Sequence, residues 1–214
     1  MIITVSCLGN EGRFGNQLFQ YSYARAYAES IGAELHTPDW IGRTLFKDIN
    51  EPIMQAPSDI DLVGYFQSQE HLSLLSRAKV KEWFTFKKPL EVPSHDLVFH
   101  KRRGDYLNYP SFWGVVSDSS YDNAARELGF NVESAVVLDD SNGDDSLLFD
   151  FFTMMKCKTL FRANSTFSWW AATLGNCKVY SPEVGNRTGW IDVPFVEGNE
   201  SGTCRDVLQL KISP

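Results

Sequence analysis

Residues 1–36 constrain this chain most: an apolar run, a glycine-rich turn, a helical repeat and the start of a second apolar run. Met-Ile-Ile-Thr-Val-Ser-Cys at 1–7 reads as a buried strand, and Gly9, Gly12 and Gly15 follow in a polar turn. Phe19, Tyr23, Ala26, Tyr27 and Ile31 then fall at helical spacing within 18–31. Gly32 offers a stop, and 33–36 opens a second strand. Strand, helix and strand in this order form the βαβ unit, which builds a parallel sheet and therefore an α/β fold. The glycines do not follow G-x-G-x-x-G, so no dinucleotide fingerprint is present. The turn is either a helix N-terminus open to an anion or a sugar hydroxyl, or a bend that needs glycine for its shape alone. Arg13, Asn16 and Gln17 are polar there, where packing alone would not require it.

The same pattern returns later. Thr-Leu-Phe-Arg at 159–162 is a short strand, and Asn164, Ser165 and Thr166 are N-cap residues before the helical run 167–174, with Gly175 as its stop. Hydroxyls and backbone N–H groups gathered at the positive end of a helix suit a pyrophosphate. The neighbouring Phe167, Trp169 and Trp170 read as core packing rather than as a stacking site.

Between these patterns, 37–60 is irregular and punctuated by Pro38, Pro52 and Pro57. Residues 61–66 predict a strand, and 68–80 a helix capped by Ser68. Pro89 and Pro93 mark the boundary, dividing the chain into 1–90 and 91–214. The second half opens on an apolar strand that delivers His100-Lys101-Arg102-Arg103-Gly104-Asp105-Tyr106 and ends in the turn formers Asn108, Tyr109 and Pro110. Ligands in open α/β sheets bind at the carboxyl ends of strands, and two adjacent arginine forks suit phosphate oxygens. The competing reading is a solvated loop with a local Arg–Asp pair. Further helices are predicted at 121–128 and 147–155, and further strands at 135–138 and 177–180.

Composition narrows the function. The chain has 214 residues, 43% hydrophobic and 14% aromatic, enough for a real core in one large domain or two small ones. A net charge of −7 excludes a general nucleic-acid binder, so the basic cluster at 101–103 points to a small anionic ligand. No stretch has the length of a transmembrane segment, and no leader pattern precedes the first strand. Cys7, Cys157, Cys177 and Cys204 include no C-x-x-C pair, so neither a zinc site nor a disulfide framework is predicted. A reduced, cytoplasmic protein is the expectation, with no reading of its oligomeric state. The acidic run from Asp139 and Asp140 to Asp145 fails as an EF-hand, because Asp144 stands where that loop needs glycine. It remains either a carboxylate pair for magnesium or manganese, or carboxylates that accept a ligand's N–H groups and hydroxyls; the second is favoured and no metal is expected.

Three stretches taken together resemble the α-1,2-fucosyltransferase family, in that family's order: Gly12-Arg13-Phe14-Gly15-Asn16-Gln17-Leu18-Phe19-Gln20-Tyr21, His100 to Tyr106, and Asn164-Ser165-Thr166-Phe167-Ser168-Trp169-Trp170-Ala171-Ala172. Gly64-Tyr65-Phe66-Gln67-Ser68 and Val137-Leu138-Asp139-Asp140 look like its intermediate landmarks. The first and third turns are also similar to sites in the protein O-fucosyltransferases. The resemblance implies a GT-B-like arrangement of two Rossmann-type halves facing across a cleft. It also implies a metal-independent, inverting transfer of fucose from GDP-fucose to a glycan hydroxyl, in the manner of a galactoside 2-alpha-L-fucosyltransferase, with no cofactor.

By motif position, Arg102 would hold the β-phosphate and stabilise the GDP leaving group, with His100 and Arg103 on the donor side. Asp139 or Asp140 would meet guanine or ribose, and Asn164, Ser165, Thr166 and Phe167 would bind pyrophosphate. Arg13, Gly15, Asn16 and Gln17 would face the fucose and the acceptor. Asp105 and Glu11 are the carboxylates offered as general base, with Asp105 alternatively a structural partner of Arg103. The chain departs from the family in a trimmed N-terminal half and in Val-Leu before the paired aspartates. Another GDP-hexose donor, and a domain binding GDP or glycan without turnover, stay open as alternatives.

Overall fold

The computed structural model describes residues 1–139 and 146–199, together with the backbone of the strands Ser201–Cys204 and Val207–Gln209. The chain divides into two compact units, Met1–Pro89 and Leu90–Leu210. Both are mixed α/β with parallel sheets, as the βαβ opening predicts.

In the first unit, β1 (Ile2–Thr4) lies between β2 (Glu34–His36) and β3 (Ile60–Asp61), both parallel to it. The crossover helix α1 (Phe14–Ile31) starts four residues earlier than the apolar repeat indicates, taking Gly15, Asn16 and Gln17 into its first turn. The irregular stretch holds a short helix, α2 (Ile41–Leu45). The strand expected over 61–66 stops at Asp61, because positive φ at Gly64 (150°) and Phe66 (52°) turns the chain out of the sheet. Asp61 fastens this end, accepting from Thr4 Oγ1 (2.8 Å), Ser6 N (3.0 Å) and Ser6 Oγ (2.6 Å). The helix expected over 68–80 is two helices, α3 (Gln69–Leu72) and α4 (Arg77–Trp83). Ser68 caps the first, and Ser76 breaks the run by capping the second through Lys79 N. Tyr21, Trp40, Phe46, Phe84 and Phe86 form an aromatic core.

The second unit is built on β4 (Leu97–Lys101), followed by α5 (Gly104–Asn108), β5 (Gly114–Val116), α6 (Asp118–Glu127) and β6 (Val136–Asp139). Next come α7 (Leu147–Lys156), β7 (Thr159–Phe161), α8 (Thr166–Leu174) and β8 (Lys178–Pro182), then β9 (Gly189–Ile191), β10 (Phe195–Glu197), β11 (Ser201–Cys204) and β12 (Val207–Gln209). The main sheet runs β10-β8-β7-β4-β6, parallel except for β10, while β5 pairs with β9 and β11 with β12. Phe99, Tyr121, Phe161 and Tyr180 centre its core.

This strand order positions the site. From β4 the chain passes to β6 on one side, and from β7 to β8 on the other, so β4 and β7 flank a topological switch point. In open α/β sheets a crevice opens at the carboxyl ends of two such strands. Gly175 differs from its expected role: its backbone is extended, and a Cβ there would stand 2.7 Å from the Met155 carbonyl oxygen, so glycine lets the end of α8 approach α7. Among the described residues no helix is long and apolar enough to cross a membrane.

Candidate functional site

The residues predicted after β4 and after β7 come together at the switch point. Tyr106, on α5, donates its hydroxyl to the Asn164 carbonyl (3.0 Å), and Asn164 Nδ2 donates to the Gly114 carbonyl (2.9 Å). The His100 ring lies 5.9 Å from that of Phe167 in the first turn of α8. Ser165 caps this helix, its Oγ accepting from Phe167 N (3.3 Å), and Thr166 follows as the first helical residue. Positive helix end and arginine motif therefore share one edge of the sheet.

Each basic side chain of the motif is anchored by a carboxylate, two of them by the same one. Arg102 Nη2 meets Asp105 Oδ1 at 2.6 Å, and its guanidinium lies 5.4 Å from the Tyr106 ring centre. Tyr106 in turn stacks on Trp113 (5.0 Å, 7°). Asp105 thus pairs with Arg102. Arg103 turns inward, donating to the Val116 carbonyl (2.9 Å) and to Asp118 (2.9 Å), with Trp190 at 5.0 Å. Lys101 meets the same Asp118 at 2.7 Å, and these partners hold Asp118 below the usual carboxylate range. Arg103 is therefore a brace between β4, β5 and α6, while Arg102 pairs with Asp105 on α5.

His100 is the centre of this electrostatic arrangement. It is 2% exposed, and its Nδ1 has no hydrogen-bond partner among the described residues. Burial, then the guanidiniums of Arg102, Arg162 and Arg103, push its pKa down to about 3, against the opposing pull of Asp139. It is a neutral imidazole among three cations. Arg162, the residue after β7, belongs to none of the motifs read in the sequence. It is wholly buried, donating to Ser181 Oγ (2.7 Å) and to the Ala163 carbonyl (2.8 Å). Burial lowers its pKa to about 9, which leaves it charged at neutral pH. The only signal available was a charged residue closing an apolar strand. Asp139 ends β6 in register with Lys101, while Asp140 lies outside the described residues. Among the described residues no three His, Cys, Asp or Glu side chains group as a metal site.

The other predicted set sits in the first unit. Gly12 has φ +73°, and Arg13 is the extended N-cap residue of α1. Gly15, Asn16 and Gln17 fill the first turn of the helix. Two amides fold back to hold the loop: Gln17 Nε2 donates to the Gly12 carbonyl (3.2 Å) and Gln20 Nε2 to the Glu11 carbonyl (3.3 Å). A third comes from far along the chain, Gln67 Nε2 donating to Asn16 Oδ1 (2.9 Å).

No family model matches the chain. Over 114 residues it is 30% identical to the O-antigen biosynthesis glycosyltransferase WbnK of Escherichia coli, a match covering 42% of this chain and 37% of that protein. The match thus spans well under half of that relative's length. The fold is similar to that of NodZ alpha-1,6-fucosyltransferase in a crystal soaked with GDP-fucose: TM-score 0.55, 11% identity, 92% of this chain and 99% of that one. The dodecameric iron-containing heptosyltransferase TibC, in complex with ADP-D-beta-D-heptose, is more distant, with TM-score 0.44, 11% identity and 85% and 58% coverage. The likeness in sequence is to a glycosyltransferase, and the likeness in fold is to a fucosyltransferase.

Proposed function

We propose that the chain is a glycosyltransferase that moves L-fucose from GDP-fucose to a glycan hydroxyl with inversion, forming an α-1,2 linkage. The observation that carries this reading is the meeting, at one switch point, of Arg102, neutral His100 and the capped N-terminus of α8. The sequence likeness to WbnK and the fold likeness to NodZ support it.

Breaking a glycosyl–phosphate bond builds negative charge on the diphosphate and positive charge on the sugar ring. Arg102, the N–H groups after Ser165 and the hydroxyl of Thr166 answer the first charge from fixed positions, and buried Arg162 adds to the same field. This arrangement needs neither metal nor cofactor. His100, neutral at working pH, contributes a hydrogen bond without competing for the phosphate's charge. Asp139 or Asp140 is assigned to the guanine or ribose, a carboxylate suiting the N–H edge of guanine. The acceptor hydroxyl attacks the anomeric carbon as GDP leaves and gives up its proton to a carboxylate; the glycine turn with Arg13, Gly15, Asn16 and Gln17 is assigned to the sugar and acceptor. Asp105, paired with Arg102, is assigned to orienting that arginine, which leaves Glu11 as the base.

The test is calorimetric titration with GDP in EDTA, on the wild type and on Arg102→Ala, followed by transfer assays with GDP-fucose and galactosides. Binding that the variant loses by about 100-fold, and an NMR-identified α-1,2 product, are the expected results. No GDP binding by the wild type overturns the donor-site assignment. Transfer from another GDP-hexose in preference overturns the choice of sugar, and activity abolished by EDTA overturns the metal-free reading.

A further inference from the structure

Cys157 and Cys177 meet in the fold although no C-x-x-C spacing announces them. Cys157 is the C-cap residue of α7, and Cys177 directly precedes β8. Lys178 N donates to the Lys158 carbonyl (2.8 Å), and β7 and β8 run on in parallel with Thr159 opposite Lys178. That register sets Cys177 beside Lys158, one position from Cys157. Adjacent strands lie about 4.8 Å apart, within the Cα separation of about 4.4–6.8 Å that a disulfide spans. Glycine permits the approach: Met155 and Gly175 each stand two positions before a cysteine, and a Cβ at 175 would lie 2.8 Å from Met155 Cα. The two cysteine side chains are hydrogen-bonded to each other.

The two thiols differ in their surroundings. Cys157 is buried, and its one proton has two acceptors, the Met154 carbonyl (3.3 Å) and Cys177 Sγ. The hydrogen bond to Cys177, then burial, raise its pKa. Cys177 is half-buried, and it is the thiol that ionises and reacts first. Between the two lie β7, Arg162, the turn at 164–167 and α8. A bond between the cysteines therefore closes a loop around the candidate donor turn, at the amino ends of β7 and β8 and away from the turn itself.

We infer that Cys157 and Cys177 form a reversible intramolecular disulfide when the protein meets glutathione disulfide or an oxidant of that class. The Cys177 thiolate attacks one sulfur of the oxidant, giving a mixed disulfide and one glutathione thiolate. Cys157 then loses its proton, attacks Cys177 Sγ and displaces the second glutathione thiolate. The two protein protons end on the two glutathiones, so one oxidant molecule is reduced as the cysteine pair is oxidised.

The test is treatment of the folded wild type with excess glutathione disulfide, followed by peptide mapping without reduction and by thermal melting. A linked 157–177 peptide that dithiothreitol removes is expected, with the linked form melting about 5 °C or more above the reduced one. Cys157→Ser is expected to hold glutathione on Cys177 and to show no such rise. Thiols that all survive the treatment, linkage through Cys7 or Cys204 instead, or linkage that forms only in urea overturn the assignment. So does a linked form that melts no higher, because the fold would then have to distort to accept the bond. The wild-type peptide map decides even where a serine variant fails to fold, and no outcome depends on sugar transfer.

Discussion

Arg102 Nη2 and Asp105 Oδ1 lie 2.6 Å apart, joined across three positions at the start of α5. A carboxylate bound this closely to a guanidinium fixes the direction in which the fork points. Asp105→Asn, which keeps the shape but loses the charge, is expected to raise the donor KM about tenfold and to change kcat little. A kcat loss of about 100-fold or more, with loss of the acid limb of the pH–rate profile, would instead identify Asp105 as the general base.

Tyr106→Phe probes the link between the two motifs. The change keeps the ring on Trp113 and under Arg102 but removes the donor to the Asn164 carbonyl, leaving a buried acceptor unsatisfied. A stability loss of about 1–2 kcal/mol is expected from urea unfolding, with weaker GDP binding by titration. Unchanged GDP affinity in a destabilised variant would show that the two turns do not act as one site.

His100 makes stability depend on pH. Its pKa is about 3 in the fold and 6.5 ordinarily. Between those values the unfolded chain binds the extra proton. The stability from keeping His100 neutral is complete above about pH 6.5 and lost progressively as pH falls toward 3. Between pH 7 and 5 the wild type is expected to lose ~2 kcal/mol more than His100→Gln, whose site carries no titrating group. Parallel stability curves for the two proteins in urea unfolding would contradict the burial of this imidazole.

Gly12→Ala tests the glycine turn. The position has φ +73°, and a Cβ would stand well inside contact distance of Asn16 and Tyr65. Combined strain and clash are expected to cost about 1–3 kcal/mol, with transfer falling far more than GDP binding. Equal loss of GDP binding and turnover would place the turn's role on the donor instead.

The α/β class and the three polar turns were readable in the sequence because they depend on neighbours: a strand's apolar run, a helix's spacing and a serine before an N-terminus are short-range properties. Ser165 and Ser68 cap their helices as read, whereas Gly15, Asn16 and Gln17, read as turn residues, lie in the first turn of α1. What the tertiary structure decided is long-range. The order β10-β8-β7-β4-β6 sets residues 100–106 beside 163–167, and no local spacing encodes which strands become neighbours. Arg102 and Arg103 read as equivalent in the sequence; only the position of Asp118 and Val116 across the fold makes Arg103 a brace, while Arg102 pairs with Asp105. Likewise the stretch at 61–66 reads as a strand until the packing of Phe66 on Tyr23 imposes a left-handed turn, because ring contact across elements outweighs local β-propensity.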